Sequence, residues 1–204
     1  MSQETMDNLI GAAILVPFLI LVFLAGRVLA RFQGRRLSRS LEPLAPLVDG
    51  KVSSDGNNGF LVGVYGGRQV QVRICPKTGG LRGYSPHGTS VYNVFELEMS
   101  SVSGALDWTL IYGRPIIIGG EGWSVSADTP AFKVEVVRSE IVSLVHAAGG
   151  LGSWPVVAYT AKYERLTYSE DVQPWLAPPP ERFAVLLDLM VNVADINNRI
   201  NAAT

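Results

Sequence analysis

The stretch FLVGVYGGRQVQVRI, residues 60–74, decides the fold because it carries two alternating strands joined by a tight turn. Apolar residues recur at every second position on both sides of the turn, at Phe60, Val62 and Val64 and again at Val70, Val72 and Ile74. A period of two with one polar face is typical of a half-buried strand. Gly66 and Gly67 suit the turn of a hairpin. The stretch therefore predicts an antiparallel hairpin with one face in the core.

Further strands are predicted downstream of the hairpin. The segments that carry the pattern are Val91–Met99, Leu106–Tyr112, Trp123–Val125 and a second hairpin formed by Pro155–Ala161 and Leu166–Tyr168. A short apolar run, Ile116–Ile118, lies between two of them. We expect the second hairpin to turn near residues 162–165. Together these segments predict a largely antiparallel sheet.

Two helices are predicted to pack on that sheet. The first begins at Asp128-Thr129-Pro130, where a capping residue precedes a proline. Its expected apolar stripe is Val134, Val137, Ile141, Leu144, Val145 and Ala148, and Gly149-Gly150 ends it. The second follows the proline-rich bend from Pro174 to Pro180 and carries apolar residues from Phe183 to Ile200. The fold class is therefore predicted to be α+β.

The stretch LIGAAILVPFLILVFLAG, residues 9–26, lies upstream of the fold and contains no charged residue. With the residues up to 30 it forms a segment of about 20 residues, long enough to cross a hydrocarbon core of roughly 30 Å. Pro17 lies mid-span, where a membrane helix tolerates it with a kink. A removable signal peptide and a buried soluble helix are the alternatives. The acidic start argues against the first, and the apolar character of every face argues against the second.

The flanks of this segment differ strongly in charge. Two acids, Glu4 and Asp7, precede it, and five arginines follow it, Arg27, Arg31, Arg35, Arg36 and Arg39. Positive residues near a span favour the cytoplasmic side, so we expect the N-terminus outside and the C-terminus inside. The same arginines are expected to contact lipid headgroups. The predicted division is an outer tail at 1–8, a membrane helix at 9–30, a basic, proline-containing linker at 31–46 and a cytoplasmic domain at 47–204. Pro43 and Pro46 are expected to break any helix that continues from the membrane.

The span and two loops offer candidate contacts for partner proteins. Small residues let membrane helices pack closely, and the candidates are Gly11, Ala12, Ala13, Ala25 and Gly26, with a bend at Pro17. Trp154 and Trp175 lie in Gly- and Pro-rich segments, where tryptophan often contacts a partner. The alternative for each tryptophan is a plug at one end of the core.

The charge of the domain argues against nucleic acid as a partner. The whole chain carries −1, the five arginines +5 and the two N-terminal acids −2, so the remainder carries −4. An acidic domain binds a phosphate backbone poorly. We therefore expect membrane lipid and other membrane-protein subunits as partners.

The sequence contains no recognisable catalytic, cofactor or metal motif, and none of these sites is predicted. The glycine pairs do not form a phosphate loop. The single cysteine, Cys75, and the histidines His87 and His146 lie in no nucleophile motif. Two acidic groups share a face by spacing, Asp188 with Asn192 and Asp195, and Glu96 with Glu98. A hard cation or acid–base chemistry is conceivable there, but solvated polar faces and an Asp195–Arg199 pair are the expected roles.

The order of motifs adds a resemblance. The motifs are GVYGGRQVQVRI at 63–74, WSVSADTP at 123–130, AYTAKYERLTY at 158–168 and PPPERF at 178–183. Together they resemble those of uncharacterised single-span bacterial membrane proteins with a small cytoplasmic α+β domain. The resemblance implies the cytoplasmic (inner) membrane as location and supplies no catalytic residues.

These observations predict a non-enzymatic, membrane-anchored accessory or assembly subunit of a larger membrane complex. A membrane-tethered domain that senses a small ligand or a lipid is the alternative. A hydrolase or transferase of unrecognised type is a third hypothesis, which a cleft with clustered carboxylates would favour.

Overall fold

The computed structural model describes residues 3–78, 91–113, 122–148, 153–172 and 177–202. In chain order the helices are α1 (Gln3–Leu41), α2 (Pro130–Arg138), α3 (Ile141–Ala147) and α4 (Pro180–Ala202), with 3₁₀ helices at Glu42–Val48 and Ala161–Tyr163. The strands are β1 (Lys51–Asp55), β2 (Asn58–Tyr65), β3 (Arg68–Thr78), β4 (Val91–Ser100), β5 (Trp108–Gly113), β6 (Gly122–Ala127), β7 (Ser153–Thr160) and β8 (Arg165–Val172).

The eight strands form one antiparallel sheet in the order β1-β2-β3-β4-β8-β7-β5-β6. The first four are sequential neighbours, and β8 returns to pair with β4. The hairpin of β7 and β8 therefore stands between β4 and the β5–β6 pair. With the long apolar helix before the sheet and helices after it, this arrangement confirms the predicted α+β class.

The central hairpin is formed by β2 and β3 as predicted. Tyr65 pairs with Arg68 across the turn, and Gly66 and Gly67 adopt φ values of 56° and 74°. Two successive positive φ angles match the right-handed twist of the strands, and glycine adopts them without a Cβ clash. Val70, Val72 and Ile74 are buried, while the interleaved glutamines are exposed. The predicted core face is therefore correct for β3. It is wrong for β2, where Val62 and Val64 are 52% and 51% exposed and Leu61, the register partner of Val72, is buried instead.

Helix α4 begins after the proline-rich bend, as expected, and buries one long stripe. The buried residues are Phe183, Leu186, Leu187, Leu189, Met190, Val193, Ala194, Ile196 and Asn197. The Phe183 ring meets the Phe95 ring of β4 edge-to-face, with centroids 6.3 Å apart and planes at 89°. Burying this stripe at about 25 cal/mol per Å² of apolar area is a major source of the domain's stability.

The predicted first helix is correct at its start and wrong in its length. Thr129 caps α2 through its Oγ1, which accepts from the Phe132 amide at 3.1 Å. The helix then stops at Ser139, whose backbone is extended at φ −68° and ψ 164°. The Ser139 hydroxyl oxygen accepts from the Ile141 amide at 3.4 Å, which favours a new helix start over continuation. Hence α2 and α3 are separate.

The break also shifts the apolar stripe. Phe132, Val136, Ile141 and Val145 are buried. Val134 and Val137, which were expected on the core face, are 43% and 51% exposed. Because the prediction assumed one uninterrupted helix, it assigned the wrong residues to the core face on the N-terminal side of the break.

The segment 31–46, the predicted linker, is helical throughout. Helix α1 continues through it to Leu41, and the 3₁₀ helix Glu42–Val48 follows directly. Leu37 and Leu41 are fully buried in the core of the sheet domain. Pro43 ends the α-helix, as predicted, but occupies the first turn of the 3₁₀ helix, where its missing N–H costs nothing. The division of the chain into domains stays a prediction.

Helix α1 reaches the core by crossing the β1–β2 hairpin at very short range. A Cβ at Gly59 would lie 2.8 Å from the Leu37 carbonyl carbon and 2.8 Å from the Ser38 nitrogen. A Cβ at Gly34 would overlap the carbonyl oxygen of Gly56. Strand β1, which the sequence pattern did not reveal, pairs with β2 and contacts α1 here. Glycine is therefore required on both surfaces.

We expect Gly34→Ala and Gly59→Ala each to destabilise the domain. Overpacking costs about 1–3 kcal/mol, which lowers the melting temperature by roughly 2–4 °C per kcal/mol in a domain of this size. At Gly34 the expected loss of stability runs against helix propensity, because alanine is favoured over glycine inside a helix by about 1 kcal/mol. Thermal unfolding of the detergent-solubilised chain measures the effect.

Gly26→Ala is the matched control, because a Cβ there meets nothing within 4 Å. Its melting temperature should equal or exceed that of the unaltered chain. An unchanged melting temperature for Gly59→Ala, which gains no helix propensity, would show that the close crossing does not exist.

Candidate functional site at the helix–sheet junction

A surface groove lies where α1 meets the edge of the sheet. We call it the junction groove and define it by its lining residues, Arg35, Ser38, Arg39, Glu42, Val52, Ser53 and Ser54. Its volume is about 240 Å³, and it is open to solvent. The groove combines the last turns of the long helix with β1, which is an edge strand.

Helical spacing explains how one element supplies both core and groove residues. Gly34, Leu37 and Leu41 face the sheet and are buried. Arg35 and Arg39 are four residues apart, so their side chains leave the helix on the same side. The Ser38 hydroxyl lies between these faces and donates to the Ser53 carbonyl oxygen at 2.7 Å. This bond ties helix and strand together at the bottom of the groove.

The structure divides the five predicted headgroup arginines into two sets. Arg35 and Arg39 line the groove, whereas Arg31 and Arg36 are exposed on α1 outside it. Arg27 lies over the ring of Phe23, 5.1 Å from its centroid. With Glu42 as the one acid in the lining, the groove carries a formal charge of +1.

The predicted membrane-packing residues all belong to α1. The helix passes through Pro17 without interruption, and Ala25 and Gly26 are exposed. The surroundings of Gly11, Ala12 and Ala13 lie outside what the structure describes. In the most apolar window of α1, mean hydropathy is 2.1 and none of the residues is buried within the chain. This is the one helix among the described residues that is long and apolar enough to cross a membrane.

A second polar cluster is buried inside the domain, and sequence reasoning missed it. Glu170 of β8 is 0% exposed. It forms an ion pair with Arg182 in the first turn of α4 and accepts from the Tyr168 hydroxyl at 2.8 Å. Burial, followed by the charge of Glu170, raises the pKa of Tyr168 well above its usual range. The alternation Leu166, Tyr168, Glu170 was the available signal, because it places a glutamate on the core face.

This buried cluster holds the start of α4 on the sheet. Phe95, the register partner of Glu170 on β4, contacts Phe183 next to Arg182. Removing one member of a buried ion pair leaves a desolvated charge, which is costly. The cluster therefore fixes where the helix begins.

The other polar candidates take part in contacts between elements. Asp188 accepts from the Tyr65 hydroxyl at 2.6 Å, and Asp195 pairs with Arg68 at 2.6 Å rather than with Arg199. On β4, Glu96 pairs with Arg73 and Glu98 with Arg165, the latter at 3.3 Å. Both acidic groups thus bridge neighbouring elements, and the pKa of Arg73 is raised by its bond to Glu96. No group of three metal-binding side chains occurs in the part of the chain that the structure describes.

The remaining predicted residues are only partly described. Cys75 is 9% exposed at the end of β3, and His146 is exposed in the last turn of α3. His87, Trp175 and the side chain of Trp154 fall outside the described residues. The partner contacts proposed for the two tryptophans therefore stay predictions.

Comparisons with protein-family models, with curated proteins and with solved structures found no match for this chain. The resemblance drawn from the order of motifs likewise stays a prediction.

We expect Tyr168→Phe to destabilise the domain at neutral pH and to flatten its loss of stability in alkali. The substitution removes the hydrogen bond that the Tyr168 hydroxyl donates to the Glu170 carboxylate. A hydrogen bond to a charged group contributes about 1.5–3 kcal/mol, so we expect a loss of stability of that size. The folded-state pKa of Tyr168 is raised above 10.0. Its contribution is therefore complete below pH 10 and is lost as the pH rises towards the folded-state value. Urea unfolding between about pH 7 and pH 11 measures both effects.

Tyr163→Phe is the matched control, because Tyr163 is exposed in the 3₁₀ turn. It should leave stability at neutral pH and the alkaline slope unchanged. Equal effects of the two substitutions would contradict the role of the buried cluster.

Proposed function

We propose that this chain is a single-span membrane protein that acts as a non-enzymatic accessory or assembly subunit of a larger membrane complex. One observation carries the proposal. Helix α1 runs without interruption from the apolar segment into the core of the sheet domain, where Leu37 and Leu41 are buried. A subunit built this way holds its domain at a fixed height and orientation above the membrane.

The apolar part of α1 supports the membrane anchor. Its large apolar side chains between residues 15 and 32 are exposed within the chain, including Phe18, Leu21 and Phe23. Lipid or other helices must cover such a surface. A removable signal sequence has the same composition, but the residues that follow it in this helix are part of the core, which favours retention. Arginines on the C-terminal flank support a domain on the cytoplasmic side, and the resemblance suggests a bacterial inner membrane.

The engaged polar residues support a role in assembly over catalysis. Asp188, Asp195, Glu96 and Glu98 each contact a tyrosine or arginine of a neighbouring strand. These pairs stabilise the packing of α4 and the register of the sheet. Such a framework presents a rigid surface to partners.

The alternative function, a membrane-tethered domain that senses a lipid or small ligand, is favoured by a different observation. The junction groove places two arginines beside hydroxyl groups close to the predicted membrane surface. If the isolated chain binds a ligand in the groove, that result supports this alternative. If proteins copurify with the chain only when its span is unaltered, that result supports the accessory subunit.

Replacing Gly11, Ala12 and Ala13 together with leucine tests the accessory role. The change keeps the span apolar but fills the thin face on which another membrane helix would pack. We expect proteins that copurify with the unaltered chain in mild detergent to be recovered in several-fold lower yield. Quantitative mass spectrometry of the isolated complexes measures this.

The matched control replaces Val16, Ile20 and Val22 with leucine, which changes three span residues without filling a small position. It should keep its partners, and both variants should resist extraction from membranes by carbonate. Full recovery of partners with the triple glycine–alanine variant would contradict a role of the span in assembly.

A further inference from the structure

We infer that the junction groove binds one phosphate group, carried by a lipid headgroup or free in solution. The inference deepens the proposed function, since it rests on the membrane anchor for the lipid as source. The groove is defined by side chains of α1 and β1 that the chain itself brings together.

The groove offers donors suited to phosphate. Arg35 and Arg39 leave α1 on the same side, and each guanidinium presents planar N–H groups that match two phosphate oxygens at once. Ser53 and Ser54 line the groove from the exposed edge strand, where successive side chains point to opposite faces, so only one of the two hydroxyls faces the arginines. The bond from Ser38 to the Ser53 carbonyl fixes the two sides relative to each other. The two walls of the groove are therefore held in place before a ligand binds, and the exposed arginine side chains become ordered on binding.

The space in the groove fits a substituted phosphate. Its volume of about 240 Å³ is several times the roughly 30 Å³ that one water occupies in the liquid. The groove is open to solvent, so a chain attached to the phosphate can leave it. A phosphodiester is accommodated as well as a free phosphate.

The height of the groove agrees with a lipid headgroup. Helices rise 1.5 Å per residue, so Arg35 lies about 8 Å and Arg39 about 14 Å beyond residue 30, the predicted end of the span. The headgroup region extends roughly 5–8 Å beyond the hydrocarbon on each side. Arg35 therefore reaches the level of the headgroups, and Arg39 lies roughly 6–9 Å above them. A rigid α1 keeps each arginine at its own height.

Glu42 limits which phosphates bind well. Its carboxylate lies in the same groove and reduces the formal charge to +1. With a net charge of +1 the groove still attracts an anion, but Glu42 weakens the attraction. A hydroxyl or ammonium group next to the phosphate can instead bond to Glu42. A phosphodiester with a hydroxyl- or amine-bearing headgroup therefore gains a contact with Glu42.

The test uses the full chain purified in a phosphate-free maltoside detergent. One arm adds short-chain phosphatidylglycerol and the other adds inorganic phosphate, and native mass spectrometry counts the bound molecules. The double variant Arg35→Gln, Arg39→Gln should weaken binding by about tenfold or more, because it removes charge-assisted bonds. Glu42→Gln should strengthen binding of inorganic phosphate.

The double variant Arg138→Gln, Arg199→Gln is the matched control, since it removes the same charge from exposed positions on α2 and α4, outside the groove and away from the membrane helix. It should retain binding close to that of the unaltered chain. Equal loss in both double variants would overturn the inference, because attraction would then follow total charge. Absence of binding by either ligand to the unaltered chain would overturn it as well.

The two arms separate the sources. If the lipid binds and inorganic phosphate does not displace it, the ligand of the groove is a lipid headgroup. If inorganic phosphate displaces the lipid completely, the ligand is a free phosphate. Circular dichroism melting curves check that each variant is folded. The assay contains no partner protein. If the groove does not bind phosphate, the accessory-subunit proposal is unaffected, because it is tested separately by the leucine substitutions at Gly11, Ala12 and Ala13.

Discussion

The close crossing of α1 over the β1–β2 hairpin is the contact on which the rest of the structure depends. Gly34 and Gly59 bring two backbones to a distance that no side chain would permit. That approach buries Leu37 and Leu41 in the core and lets Ser38 bond to β1. Without it, the long helix would end at the surface and the edge strand would have no cover.

This contact links membrane and domain mechanically. Helix α1 and the sheet share one core, so any tilt of the span moves the whole sheet with it. The same crossing forms the junction groove, because the helix face next to the buried one carries Arg35 and Arg39. The buried Glu170–Arg182 pair performs a similar task at the start of α4. Both ends of the fold are thus fixed by specific contacts between a helix and the sheet.

The sequence predicted those elements whose signals are local. The β2–β3 hairpin, strand β4, the late hairpin and α4 follow from alternation, turn glycines and helical spacing. The extension of α1 was missed because Arg35, Arg36 and Arg39 suggested solvent, although Gly34, Leu37 and Leu41 repeat at helical spacing. The break at Ser139 depends on a local hydroxyl contact that apolar periodicity does not reveal, and the burial of Glu170 was indicated only by its place in the alternation with Leu166 and Tyr168. The groove was likewise invisible, since β1 gave no strand signal to pair with the arginines.

Rigid continuity between span and domain is the central claim, and a distance measurement tests it most directly. Spin labels at Arg31→Cys and Arg138→Cys, in a Cys75→Ser background in lipid nanodiscs, report one distance from α1 to the domain by pulsed electron paramagnetic resonance. One continuous helix packed on the sheet predicts a single narrow distribution. A flexible linker at residues 31–46 would have a root-mean-square end-to-end distance of roughly 20–24 Å. A broad distribution on that scale would contradict the account.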